Sequence, residues 1–376
     1  MNPSTIKTLM LVPNMRASNG VASYAMNYFR LLETDEIHMD FAIYSEVPSP
    51  YYEEIEATGC KCFILPSIKK PISHIKAGIS ILTNSRYDII HDNTLLVSVP
   101  MMWLAKIIHV PVRLLHSHSA RLGETLFNEK RNKLFLPLLK ASATDYAACS
   151  SVAAKSMFGN ASFLLIPNIV AENSLVFSEK RRADMRKVMG VEDKLVISTV
   201  GRTTFAKNPL FALEVIKEAV LICPNIEYWW IGSGAQDYIF NRKIIELGLS
   251  KHVKFLGSKE RGELVDLYQA MDVFFMPSRF EGLGMAALEA QAMGLPCILS
   301  EEVPAVVDYT GNVDRIPLNA PAKEWAEALI CQGSKVKNRQ SQLEALKNSA
   351  YSEAGAGDRL LSQYKQLLQK NGRQTY

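Results

Sequence analysis

Short apolar, β-branched runs alternate with helix-like stretches along the whole of this chain. In the first half the runs fall near 7–12, 39–44, 62–66, 88–91, 112–116, 145–149 and 163–166. In the second half they fall near 195–200, 227–231, 253–256, 272–276, 297–299 and 314–317. A strand wetted on one side alternates apolar and polar residues. These runs are continuously apolar instead, which predicts parallel strands covered by helices on both faces. The polar stretch from Ser178 to Asp184 interrupts the rhythm, and Lys194 to Gly201 restarts it. The expectation is therefore an α/β chain with one doubly wound domain over 1–172 and a second over 173–355. Leucines at helical spacing between Gly357 and Lys370 predict an amphipathic helix and tail over 356–376. Ligands of such folds bind beyond the carboxyl ends of the strands, so the site is expected in the cleft that the two domains face.

Composition narrows the class. Of 376 residues, 48% are hydrophobic and 21% charged, which is globular and far from disordered. A net charge of +4 is mild and points to no nucleic-acid partner. Met1 to Lys7 runs straight into Thr8–Pro13, too short for a secretory apolar region, and no apolar run approaches the ~18–20 residues that span a bilayer. A cytoplasmic protein is expected. Six cysteines are scattered, with Cys60 and Cys62 alone close together, and free thiols in a reducing compartment are the expectation.

The richest stretch runs from Ser278 to Cys297. Val273–Met276 reads as a buried strand, Phe280 to Gly284 as a glycine-containing turn, and Met285 to Met293 as a helix stopped by Gly294-Leu-Pro296. A strand that turns through glycines into a helix aims free N–H groups and the positive end of the helix dipole at the turn, which suits an anion. Glu281 lies in that turn and Glu289 about one helical turn inside the helix. A carboxylate beside a phosphate is unfavourable, whereas one on a ribose or sugar hydroxyl is favourable. A nucleotide-sugar ligand follows. Arg202 and Lys207 share the loop after the first strand of the second domain, and two cations there suit a diphosphate. Gly20 opens a helix after the first strand of the chain, and His116 and His118 close the strand begun at Val112. Those two histidines point the same way on an extended chain. Trp229 and Trp230 sit inside a strand run and read as core.

Together these residues resemble the retaining glycosyltransferases of family 4, with the two-domain GT-B fold built from Rossmann-like halves. The resemblance spans most of the chain and is strongest from Gly201 to Ser300, where Glu281 and Glu289 match the family's E-x7-E element. In the first half Arg113–His118, Cys149–Ser151 and Ile166–Asn168 resemble members that build capsule, exopolysaccharide or lipopolysaccharide. Asn19 and Leu283 depart from the common Gly and Phe. The resemblance implies that Glu289 holds ribose hydroxyls and Glu281 those of the transferred sugar. It implies a diphosphate bound by Arg202, Lys207, Gly20 and the backbone of Gly282, Leu283, Gly284 and Met285. One histidine, His116 before His118, would face donor sugar and acceptor. The donor would be a UDP-sugar before a GDP-sugar, and the acceptor a glycan or lipid-linked sugar. Neither cofactor nor metal is expected: there is no Asp-x-Asp, and cations with a helix N-terminus supply the charge a metal otherwise would.

Basic residues interleaved with Leu and Phe over 121–140 fit either an ordinary packed helix or peripheral contact with the inner face of an anionic membrane. Two other classes compete with a transferase. A non-catalytic GT-B partner subunit would keep the fold with all four charged residues idle. A GT-B nucleotide-sugar epimerase, or a phosphorylase, would suit the two-glutamate turn less well. A dehydrogenase is disfavoured because no G-x-G-x-x-G opens the first domain.

Overall fold

A computed structural model describes residues 5–16, 19–32, 36–123, 125–335 and 339–372. Residues through Ile169, together with those from Glu353 onward, form one compact unit, and Val170–Ser352 form another.

The first unit runs β1 (Ile6–Val12), α1 (Gly20–Leu31), β2 (Ile37–Ile43), α2 (Tyr51–Ala57), β3 (Cys62–Ile64), α3 (Pro71–Ser85), β4 (Ile89–Asp92), α4 (Val99–Ile107), β5 (Val112–Ser117), α5 (Leu126–Lys140), β6 (Asp145–Ala148), α6 (Ser151–Phe158) and β7 (Leu164–Leu165). Its strands pair in parallel in the order β3-β2-β1-β4-β5-β6-β7.

The second unit runs α7 (Glu179–Met189), β8 (Leu195–Val200), α8 (Pro209–Ile222), β9 (Ile226–Ile231), α9 (Asp237–Glu246), β10 (Val253–Gly257), α10 (Arg261–Ala270), β11 (Val273–Met276), α11 (Met285–Ala292), β12 (Cys297–Ser300), β13 (Val313–Ile316), α12 (Ala322–Lys335) and α13 (Leu343–Lys347). Its order is β10-β9-β8-β11-β12-β13, again all parallel. Every apolar run read from the sequence carries one of these strands. Trp229 and Trp230 are fully buried, as expected.

In both sheets the chain reverses direction at one seam, between β1 and β4 and between β8 and β11. The loops leaving adjacent strands at that seam diverge to opposite faces and open a crevice.

The segment over 356–376 is not a separate piece, and this corrects the linear division. Helix α14 (Ala356–Lys370) belongs to the first unit, and residues 373–376 lie outside the described ones. The cause is its apolar stripe, which must be buried: Leu360, Leu361, Tyr364, Leu367 and Leu368 join the core beneath β1 and β4. A methyl at Gly357 would fall 2.6 Å from the Leu31 carbonyl oxygen, so the two helices touch backbone to backbone there. Lys370 and Asn371 then hold Asp145 at 2.6 and 3.0 Å. No helix among the described residues is long and apolar enough to cross a membrane.

Candidate functional site

In the second unit the crevice lies between the loop after β8, which carries Arg202 and Lys207, and the loop after β11, which carries Glu281. Sequence places these residues 74 positions apart, and the seam brings them together: Lys207 Nζ sits 2.5 Å from Glu281 Oε1. Ser278 donates its hydroxyl to the same oxygen at 2.7 Å. The loops are also tied by the Arg279 N–H, which donates to the Ala206 carbonyl at 2.7 Å, and by the Arg279 guanidinium 4.6 Å above the Phe205 ring.

Close backbone approach shapes the floor. The stem of Lys207 lies across Gly201, where a methyl would come within 3.2 Å of it, and a methyl on Gly232 would fall 2.3 Å from the Gly201 carbonyl oxygen. Gly284 precedes α11 with φ of +99°, a conformation that side chains resist. No side chain caps the start of α11, so its dipole faces the turn uncovered. Gly282, Leu283 and Gly284 are buried and contribute backbone; Met285 is half-buried and Arg202 exposed.

Glu289 projects from α11 toward α10. Arg261 hydrogen-bonds its Oε1, and the buried Tyr268 hydroxyl donates to Oε2 at 3.1 Å. Burial, and then the neighbouring Glu289 charge, push the Tyr268 pKa well above its usual value, so it remains a donor. Ser278, Arg261 and Tyr268 are functional candidates that sequence reasoning missed. Arg261 was within reach of the same rule, since it opens the helix after β10. Tyr268 was not, because its partner lies on another helix. The arrangement holds two carboxylates, each steadied by a cation and a hydroxyl, beside an uncapped helix start and an exposed arginine. That combination suits a ligand in which an anionic group adjoins hydroxyls.

The other expected residues lie in the first unit. Gly20 is exposed at the first position of α1, with open space where a side chain would stand. Asn19 already accepts hydrogen bonds from the N–H groups of Val21 and Ala22, at 2.9 and 3.4 Å. The helix start is thus partly capped by the chain itself, which leaves Gly20 less of an anion site than a bare helix end would be.

His116 and His118 share a face, as strand geometry demands, but not a depth. His116 is fully buried, while His118 keeps part of its surface exposed. Their rings stack at 4.0 Å. Beneath His116, its Nδ1 lies 2.9 Å from His91 Nε2, and His91 Nδ1 lies 2.6 Å from the Tyr364 hydroxyl of α14. Burial keeps that hydroxyl protonated, so it donates; His91 Nε2–H then donates to His116. Asn93 spends its Nδ2 on the His91 carbonyl at 3.1 Å, so its Oδ1 accepts from His118 Nε2–H at 2.9 Å, leaving Nδ1 the unprotonated nitrogen. Burial lowers the pKa of His91 and of His118 to about 3 and carries His116 well below its usual value. All three are neutral rings at pH 7. His118 is the less buried ring, although its Nδ1, like His116 Nε2, is buried without a hydrogen-bond partner.

Three comparisons bear on the chain. Residues 180–348 match the family model described as glycosyl transferases group 1. The chain is 30% identical over 346 residues to the putative glycosyltransferase EpsF of Bacillus subtilis (strain 168), covering 88% of both. It is 25% identical over 302 residues to an Escherichia coli protein, covering 75% of this chain and 76% of that one. The relative's name is UDP-Gal:alpha-D-GlcNAc-diphosphoundecaprenol alpha-1,3-galactosyltransferase. The crystal structure of Anabaena HepE in complex with UDP and glucose superposes with a TM-score of 0.78 over 95% of this chain and 99% of that one. Its 16% identity makes that a likeness of fold.

Proposed function

The chain belongs to the group 1 glycosyl transferases and has their GT-B fold, and on that premise we propose that it is a retaining, metal-independent enzyme. It moves a sugar from UDP to a glycan or lipid-linked acceptor in the building of a bacterial surface polysaccharide. The observation that carries this reading is the meeting of Lys207 with Glu281, and of Glu289 with Arg261, around the uncapped start of α11. Lys207, Arg202 and that helix start bind the diphosphate and stabilise it as it leaves. Glu289 accepts from ribose hydroxyls and Glu281 from the sugar. In the first unit, taken by itself, His118 is the residue we assign to sugar or acceptor and Gly20 to close backbone approach by a phosphate. The choice of UDP draws on the name of the E. coli relative and on the UDP in the HepE crystals. The lipid-linked acceptor draws on the diphosphoundecaprenol in that same relative's name.

The test is donor hydrolysis by purified protein across a nucleotide-sugar panel with chelator present, beside Glu289→Ala. The expected outcome is UDP release from one donor, unaffected by chelator, and a KM for that donor raised about tenfold or more in Glu289→Ala. Conversion of the donor without nucleotide release would mean an epimerase. Absence of both release and donor binding would mean an idle subunit.

The workplace we assign is the inner face of the cell membrane. Helix α5 exposes Phe127 (75%) and Leu134 (74%) beside Lys130, Arg131 and Lys133, and packs on α4, which packs on α3 with its exposed Ile72 (71%). Position 124, within the basic stretch over 121–140, lies outside the described residues. Apolar side chains ringed by cations suit anionic lipid. The protein is expected to sediment with vesicles containing phosphatidylglycerol and not with pure phosphatidylcholine, and Phe127→Ser with Leu134→Ser to weaken this about tenfold. Equal recovery with both vesicle types would remove the membrane from the reading.

A further inference from the structure

His38, Asp40 and Cys60 meet at the amino end of β2, the edge of the first sheet opposite the strand ends that carry His118. The imidazole stands between acid and thiol: Nε2 is 3.0 Å from Asp40 Oδ1, and Nδ1 is 3.6 Å from Cys60 Sγ. Asp40 is itself fastened, accepting the Lys61 N–H on Oδ1 at 2.7 Å and the Tyr87 hydroxyl on Oδ2 at 2.6 Å. Those donors favour the ionised carboxylate, which accepts the Nε2–H and so turns Nδ1 toward the sulfur, where it can take the thiol proton.

A metal ion fits this group poorly, although all three side chains offer a ligand atom within 4.8 Å of one another. Acid and thiol address opposite nitrogens of a single ring, so one ion cannot take both as they stand. The oxygens of Asp40 are moreover engaged by three donors. An acid, an imidazole and a thiol in series are the arrangement that activates a nucleophile.

We propose that Cys60 is held as a thiolate by the imidazolium of His38 and is a site of thiol–disulfide exchange with low-molecular-weight disulfides. The thiolate attacks one sulfur of the disulfide, a bond forms between Cys60 Sγ and that sulfur, the original S–S bond breaks, and the other half leaves as a thiolate. The electrostatics agree with the geometry. The hydrogen bond to Asp40, and then that to Cys60, raise His38 to about 9. Burial by itself would raise the Cys60 pKa; hydrogen bonds from His38, the Thr58 hydroxyl and the Met39 N–H outweigh it and bring the value down. Tyr87, which also feels this sulfur's charge, is pushed up by burial and stays neutral. By contrast burial holds Cys62 and Cys149 at about 12, and Cys297 higher still. The inference does not depend on the transferase reading.

The experiment follows an aromatic disulfide reacting with folded protein between pH 5 and 9, in a Cys223→Ser, Cys331→Ser background, with the labelled cysteine located by peptide mass. One fast phase at Cys60 is expected, with a rate midpoint below the ordinary thiol value of about 8.5. At pH 6 the phase should outrun Cys331 of the unaltered chain by about tenfold or more. His38→Gln should move the midpoint up by about one pH unit or more, and Cys60→Ser should abolish the phase. Where His38→Gln fails to fold, the pH profile of the His38 protein decides. An unlabelled Cys60 in the folded chain, or a midpoint near the ordinary thiol value of about 8.5, would overturn the proposal.

Discussion

Lys207→Met is expected to lower kcat/KM for donor hydrolysis by about 100-fold or more, the scale seen when one charge-stabilising donor is lost from a preorganised site. Three observations set that size. The ammonium is held at 2.5 Å by Glu281, its stem is seated on Gly201, and the loops on both sides are tied by Arg279. It therefore needs no reorganisation when charge develops on the leaving diphosphate. Because stabilisation of departing charge belongs to the transition state, the loss should fall mainly on kcat. Removing the cation also leaves the Glu281 carboxylate with Ser278 as its hydrogen-bond donor, so the measurement needs Lys207→Met, Glu281→Gln beside both single variants. A double variant no worse than Lys207→Met would mean that the two residues act as a unit. Kinetics within about threefold of the unaltered chain, at equal urea midpoints, would remove Lys207 from the diphosphate.

Acid should weaken the first unit. His91 and His118 have folded-state values near 3 against an ordinary value of about 6.5, so the unfolded chain takes up protons that the folded chain refuses. Above pH 6.5 neither contributes. As pH falls below it, stability falls, and the loss continues until the folded values are reached. Between pH 7 and 5 each histidine costs about 2 kcal/mol. Asp92 works the other way: burial raises it to about 6, so the folded state gains a proton first and offsets about 1 kcal/mol of that loss. Across His91, His118 and Asp92 the histidines win by about 2–3 kcal/mol. His116, also carried well below its usual value, adds to the fall, while His38, raised to about 9, binds its proton more tightly in the folded state and offsets about 1 kcal/mol of it. Urea unfolding at the two pH values measures this, and His91→Gln should remove about a third to a half of the slope. A stability unchanged from pH 7 to 5 would mean that these rings are not held neutral.

Much of the site was legible because strand-end chemistry is local. Glycines, carboxylates and cations crowd the turns after β8 and β11, and a residue there has no packing reason to carry charge. Glu281, Glu289, Arg202 and Lys207 were readable for that reason. Arg261 and Tyr268 escaped because they matter only through Glu289, a contact between helices that no short window contains. The depth of His116 escaped for a similar reason. A two-residue spacing says that His116 and His118 share a face; it does not say that a tyrosine 248 residues after His116 reaches under that face to hold His91.

Periodicity by itself determined that this chain forms two parallel, doubly wound sheets, since a continuously apolar strand has nowhere to go but between two layers of helix. It also determined that α14 would be amphipathic. Tertiary structure alone decided where that stripe would be buried, and the answer was the first unit. It likewise decided which carboxylate meets which cation, and that His38 would lie between Asp40 and Cys60. The physical reason is the same in each case. Hydrophobic pattern is written in neighbouring residues, whereas strand order joins loops that are far apart in the chain, and pairing energies exist only once those loops share a crevice or an edge.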